Sequence, residues 1–296
     1  MTQRVAESTR LPRIRVLYIL ASTHSGTTLL HLLLGAHSRI ESIGELERVL
    51  GERGKTRTHS CTCGKTLAEC DFWERARARA AAMPLVGEGY SEFERTNYPL
   101  MAAILERTGR SVICDSSKGL ERLQQLLASP LFDVSVVHCV RDGRAVAFSM
   151  RRKLERMSAL DPDGDGGRAL RARGKEPRHY GFYRTALAWN VANSRVARRA
   201  APYLVRYEDL CARPAEVLGG ILAHLDLTFE ESQLRFLDGD HHHIGGNRMR
   251  RGGDQTIRID VEYRKSLSPL EWWAGTLLAL AALRRFGYGL GRGTTA

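Results

Sequence analysis

Arg15 to Gly35, RVLYILASTHSGTTLLHLLLG, constrains this chain more than any other stretch. It reads as an apolar strand, a turn of small and hydroxyl-bearing residues, and an apolar helix opening at Thr27 or Thr28. Such a turn at a helix start aims several backbone N–H groups and the positive end of the helix dipole at one point. That point suits an anion, most often phosphate.

The turn resembles a Walker loop and departs from it at one position. With Ala21 in the first glycine position, the pattern runs through Gly26, Thr27 and Thr28, so a threonine stands where a nucleotide triphosphatase carries its lysine. A loop without that lysine can still hold a 5′-phosphate through backbone N–H groups and the hydroxyls of Ser25, Thr27 and Thr28. It is poorly equipped to grip a β,γ-phosphate pair with magnesium. Taken alone, the segment also fits an ordinary strand-to-helix turn.

Val134 to Lys153, VSVVHCVRDGRAVAFSMRRK, supplies a second buried strand, which ends in Arg141-Asp142 and leads into a helix carrying Ser149. Together the two stretches resemble sulfotransferases that use 3′-phosphoadenosine 5′-phosphosulfate (PAPS). The likeness is to bacterial members of the glutamate-base type, related to carbohydrate and protein-tyrosine sulfotransferases. It extends from Val16 to Tyr288 and implies an α/β, P-loop-like three-layer fold, with a central, mainly parallel β-sheet flanked by helices. In that family the first loop binds the 5′-phosphosulfate, which here assigns Ser22, Thr23, His24, Ser25, Gly26, Thr27 and Thr28. An arginine at a strand end and a serine on the next helix bind the 3′-phosphate. Arg141 and Ser149 stand at that spacing, and Arg144-Ala145-Val146 between them also matches.

The resemblance places further roles along the chain. A glutamate about twenty residues beyond the loop acts as general base in these enzymes, and Glu45, after Gly44, lies at that offset. A carboxylate there can take the proton that an attacking alcohol sheds. Glu41 and Glu47 are fallbacks, and His37 is read as structural. As helix-start carboxylates, Glu45 and Glu47 would instead favour the helix dipole. Asp115-Ser116-Ser117-Lys118 follows a third strand, Val112-Ile113-Cys114, and Lys118 is the candidate cation for the leaving oxygen. The competing reading is a surface lysine. Tyr207, in a segment resembling RYEDL, is assigned to the cofactor because some relatives contact adenine there. The loop from His241 to Gly252 resembles the family's late basic loop, which implies that Arg250, Arg251 and Gly252 complete the 3′-phosphate clamp. Relatives usually carry arginine at the position of His24. Histidine has an ordinary pKa of about 6.5, so either neutral imidazole donates or the rate depends on protonation. His24 therefore joins Glu45 and Lys118 as a catalytic candidate.

At 296 residues, with no internal repeat or long linker, one domain spanning 1–296 is expected. Residues 1–12 are expected to be disordered and 158–178 to form a mobile loop. The net charge of +12, from 45 Lys and Arg against 33 Asp and Glu, suits a polyanionic ligand, and equally suits arginine-rich solvated helix faces. No homeodomain, zinc-finger or RNP pattern makes nucleic acid an expected partner. Met1 to Pro12 lacks the apolar core of a signal peptide. Trp272 to Leu283 falls short of the roughly 20 residues of a membrane span and reads as a buried helix. These features point to a cytoplasmic protein. The resemblance implies a small-molecule, glycan or lipid acceptor and leaves room for a homodimer.

Cys114, Cys139 and Cys211 sit in or beside apolar segments, as core cysteines do. Cys61, Cys63 and Cys70 admit zinc, a disulfide to Cys70, or free thiols. A CxCG…CxFW segment recurs in bacterial members of the family without revealing its role. Neighbouring histidines such as His241, His242 and His243 rarely converge on one ion. Asp161 to Gly166 mimics a calcium loop, but Ala172 takes the place of the bidentate glutamate. The expected chemistry is therefore metal-free transfer of a sulfuryl group from PAPS to an acceptor hydroxyl, leaving 3′,5′-bisphosphoadenosine. A P-loop kinase or hydrolase, which would need magnesium and the missing lysine, and a non-catalytic nucleotide-binding scaffold are the alternatives.

Overall fold

The computed structural model describes residues 11–50, 60–85, 89–160, 177–199, 202–246, 249 and 255–292. Strands β1 (Ile14–Ala21), β2 (Ile40–Gly44), β3 (Val112–Lys118), β4 (Phe132–Val140) and β5 (Tyr203–Arg206) form a parallel sheet in the order β2-β3-β1-β4-β5. Helices cover both faces, as the sequence predicts for a three-layer α/β fold.

From Val16 to Ala21 β1 carries no charged residue, because both of its faces are buried there. Val16, Tyr18 and Leu20 pack with Trp73, Met101 and Leu123 on one side, while Leu17 and Ile19 pack with Leu30, Leu33 and Leu222 on the other. Full burial of each aliphatic side chain contributes roughly 1.5–3 kcal/mol. The first face is covered by α3 (Asp71–Ala81), α4 (Glu92–Thr108) and α5 (Leu120–Ala128), and the second by α1 (Thr27–Gly35) and the helix Pro214–Ala223, while the short α2 (Glu47–Leu50) follows β2. α4 starts at a reciprocal cap in which the Ser91 side chain accepts from the Glu94 N–H and the Glu94 side chain accepts from the Ser91 N–H.

A further helical layer joins the helix Gly143–Leu160 to the helices Pro177–Arg199 and Pro269–Arg285. Arg144, fully buried, lies 4.1 Å over the Trp272 ring and pairs with Asp142 at 2.7 Å.

Several expectations change. β2 is a strand that sequence reasoning did not identify, because Glu41, Ser42 and Gly44 give it no apolar periodicity. Leu11 packs on the core and the Tyr98 hydroxyl donates to the Pro12 carbonyl at 2.8 Å, so these two residues are tethered. Of the expected loop 158–178, helix includes residues up to Leu160 and from Pro177 onward, and 161–176 lie outside the described residues. The apolar run near the C-terminus is one-sided: Trp272 and Leu283 are buried, whereas Leu270, Trp273 and Leu277 are exposed at helical spacing. No helix among the described residues is long and apolar enough to cross a membrane.

Candidate active site

β1 and β4 lie side by side to the register Ala21 with Cys139, so the turn after β1 and Arg141 after β4 emerge together. Open α/β sheets form ligand crevices at this carboxyl edge, where neighbouring strands feed in opposite directions. Here the crevice is a cleft of about 750 Å³, within the usual range for small-ligand sites. Thr23, His24, Gly26, Thr27, Thr28, Glu45, Lys118, Arg141, Ser149 and Tyr207 all line it.

Gly26 occupies the N-cap of α1 in the left-handed conformation, at φ 86°, and as a glycine supplies no side-chain cap to the helix. A Cβ there would lie 2.3 Å from the Tyr207 ring. Glycine is thus required both by its backbone conformation and by the aromatic ring beneath it. No acidic residue occupies the first turn, so the positive end of the dipole faces the cleft uncompensated. His24 and Lys118 also adopt positive φ, at 66° and 71°. Such backbones cost about 1–3 kcal/mol each in a non-glycine residue and concentrate at functional sites.

Arg141 turns toward the loop. Its guanidinium donates to the His24 carbonyl at 3.4 Å and lies 4.7 Å over the Tyr207 ring. It also pairs with Asp260 at 3.0 Å. The Ser149 hydroxyl is 3.1 Å from His24 Nδ1. Within the loop and the arginine that faces it, Ser25 Oγ and Arg141 Nε are buried without a hydrogen-bond partner among the described residues. Burial, then the cations Lys153, Arg141 and Lys118, push His24 down to about 4. The imidazole is therefore neutral near pH 7.

On the far side of the cleft, Lys118 Nζ lies 2.5 Å from Glu45 Oε1, and Arg48 bonds the other carboxylate oxygen. Burial alone would raise the Glu45 carboxyl, but Lys118 and then Arg48 overcome it and hold the group below the usual carboxylate range. Glu41 is buried away from the cleft against Arg110 at 3.3 Å, and its carboxyl is pushed up to about 7, chiefly by burial. Glu47 is exposed, and its N–H bonds Ser117 Oγ. His37 bonds the Thr228 carbonyl and the Arg39 N–H, a structural role as expected.

Ser22 is not brought to the cleft. Its hydroxyl accepts from Asn193 at 3.1 Å and faces a separate cavity of about 220 Å³. Arg250, Arg251 and Gly252 lie outside the described residues. The part of their loop that is described contributes glycines instead of cations. Gly245 packs against Glu45 so closely that a Cβ would lie 2.6 Å from its carboxyl carbon, and Gly246 packs against Thr28. The Gly245-Gly246 pair was the available sequence signal. Asp260, Arg258, Lys153 and Arg48 also line the cleft and were missed, because no local pattern marks them.

The fold and cleft define an α/β protein with a loop at its topological switch point that opens a helix N-terminus toward the cleft. The Sulfotransferase family model matches residues 17–231, and the chain belongs to that family. It is an enzyme of the sulfotransferase class. Among solved structures, it is similar to the sulfotransferase domain from the Curacin biosynthetic pathway, at 20% identity and TM-score 0.59, covering 96% of this chain and 100% of that one. The sulfotransferase domain from the Synechococcus PCC 7002 olefin synthase gives 21% identity and TM-score 0.54, with 98% and 100% covered. At these identities the likeness concerns the fold. Comparison with curated proteins found no significant match.

Proposed function

We infer that the donor is PAPS and that the acceptor is the hydroxyl of a small molecule, glycan or lipid. One observation carries the reading: Thr23, His24, Gly26, Thr27 and Thr28 of the loop, the Arg141/Ser149 pair and the Glu45/Lys118 pair all face one cleft, while Ser25 between them is buried. The unpartnered Ser25 hydroxyl and Arg141 Nε, with the uncapped first turn of α1, are donors suited to anionic oxygens.

When bound, the donor supplies an activated sulfuryl group. Backbone N–H groups of Gly26, Thr27 and Thr28, with the threonine hydroxyls, hold the 5′ end. Arg141 and Ser149 read the 3′-phosphate, since guanidinium matches phosphate oxygens. Tyr207 supports this side from below: its ring underlies Gly26 and its hydroxyl accepts from the Asp260 N–H at 3.2 Å. Glu45, ionised at neutral pH, takes the proton from the acceptor hydroxyl. Lys118 reaches the cleft from β3 beside Glu45 and supplies the positive charge for the departing phosphate oxygen. Neutral His24 offers a hydrogen bond where a permanent charge is absent.

Incubation with PAPS and a panel of hydroxyl acceptors, read by mass spectrometry for added sulfate, tests the reading. A thermal shift with 3′,5′-bisphosphoadenosine but not with ATP and magnesium is expected. The opposite preference would exclude this donor.

A further inference from the structure

Outside the cleft, Cys61, Cys63, Cys70 and His242 bring four ligand atoms within 4.8 Å of one another. Cys61 Sγ and Cys70 Sγ lie 3.5 and 3.3 Å from His242 Nδ1, and Cys63 Sγ lies 3.6 Å from Cys70 Sγ. A tetrahedral zinc with Zn–S near 2.3 Å and Zn–N near 2.0–2.1 Å has S···S edges of about 3.8 Å and S···N edges of about 3.6 Å. The distances therefore fit ligands around one ion. They do not fit a disulfide, whose sulfurs are bonded at about 2.05 Å.

We propose that Cys61, Cys63, Cys70 and His242 form a closed, structural zinc site. Three thiolates and one imidazole are a common structural zinc set, and soft sulfur ligands favour zinc over the hard cations. His242 presents Nδ1 to the cysteines, and its Nε2 lies 3.0 Å from the Asp240 carboxylate. This carboxylate–histidine arrangement fixes the tautomer that leaves Nδ1 free to ligate. The ring is clamped further by Phe72, stacked at 4.6 Å, and by a bond from Trp73 Nε1 to the His242 carbonyl at 3.1 Å. Cys70 stands at the N-cap position of α3, which fixes it at the start of a regular helix. His241 and His243 turn elsewhere, stacked on each other at 5.1 Å, so the histidine triplet contributes a single ligand.

The site ties two segments distant in sequence. Cys61 pairs with Ile244, Ile244 also pairs with Gly44, and the Ile244 carbonyl accepts from the Glu45 N–H at 2.7 Å. The metal would brace the strand end that presents Glu45, and the assignment stands whether or not Glu45 is the base.

Full-length protein, expressed with zinc supplementation and dialysed without chelator, is expected to carry one zinc per chain by plasma mass spectrometry. Exchange for Co2+ should give the intense visible bands of a tetrahedral thiolate site. Stripping the metal should lower the thermal midpoint. Because loss of a buried cysteine could prevent folding, two exposed positions serve as variants: Cys63→Ser and Asp240→Asn should each weaken zinc binding, the latter by about 10–100-fold. Folded protein that holds no zinc and gives no cobalt bands would overturn the proposal. So would a native disulfide among Cys61, Cys63 and Cys70, or unchanged zinc affinity in both variants.

Discussion

Lys118 and Glu45, on neighbouring parallel strand ends, meet as an ion pair in the cleft, with Nζ 2.5 Å from Oε1. The pair couples the basicity of the carboxylate to the position of the cation. On the proposed reading, anionic donor oxygens that draw Lys118 away would cost Glu45 its main stabilising partner and make it a stronger base.

Lys118→Met should therefore move the acid limb of kcat/KM to higher pH. The sign follows from the two opposing influences: burial raises the Glu45 carboxyl, Lys118 lowers it, and removing the lysine leaves burial less opposed. A pH–rate profile measures the shift, and an unmoved limb would assign that ionisation to another group. Glu45→Gln should abolish turnover while leaving bisphosphate binding intact; retained turnover would place the base elsewhere.

Arg141→Ala should weaken 3′,5′-bisphosphoadenosine binding by about 1.5–3 kcal/mol, the range for hydrogen bonds to charged groups. Asp260 holds the same guanidinium at 3.0 Å and would compete with an incoming phosphate. Asp260→Asn should accordingly tighten binding several-fold. Calorimetry on both variants checks the pair, and equal affinities across them and the parent would remove Arg141 from the phosphate site.

His24 is held down to about 4, first by burial and then by surrounding cations, so it should add no ionisation to kcat/KM between pH 6 and 8. Buried His138 is likewise pushed down to about 4, chiefly by burial. Relative to an unfolded value of about 6.5, both histidines contribute stability that is present above that pH and lost as pH falls toward about 4. Glu41 works oppositely: raised to about 7, it contributes stability below the ordinary carboxylate range that is lost as pH rises through 7. Denaturant titration of Glu41→Gln across pH 4–8 should show a smaller loss of stability toward pH 8 than the parent.

Arg144→Leu should destabilise the fold by about 3–5 kcal/mol, because it leaves the buried Asp142 carboxylate without its cation. Arg144 also donates to Thr276 and to the carbonyls of Gly289 and Leu290. Urea unfolding checks the magnitude, and a loss below 1 kcal/mol would show that the Tyr263 hydroxyl, 3.0 Å from Asp142, suffices.

Gly44→Ala should lower turnover more than donor affinity. At φ 72° an added Cβ would lie 2.2 Å from the Ile244 carbonyl oxygen, and relief of that clash must displace Glu45 beside it. Steady-state kinetics separate the two effects, and unchanged turnover would mean that Glu45 tolerates the displacement.

By itself the sequence determined the local parts: the apolar β1 run, the Ser-Gly-Thr-Thr turn, the opening of α1, and the arginine and serine that follow β4. Each of these is encoded within a few neighbouring residues, through side-chain periodicity, glycine conformation and exposed N–H groups. Only the tertiary structure decided which groups meet. Edge strand β2 lacked a periodic signature, and it forms by pairing with β3 about seventy residues later in the chain. The Glu45–Lys118 contact, the hold of Asp260 on Arg141, the turning away of Ser22 and the gathering of Cys61, Cys63 and Cys70 around His242 all join distant segments. Sheet order and strand register fix such meetings, and neither is a property of any short stretch of sequence.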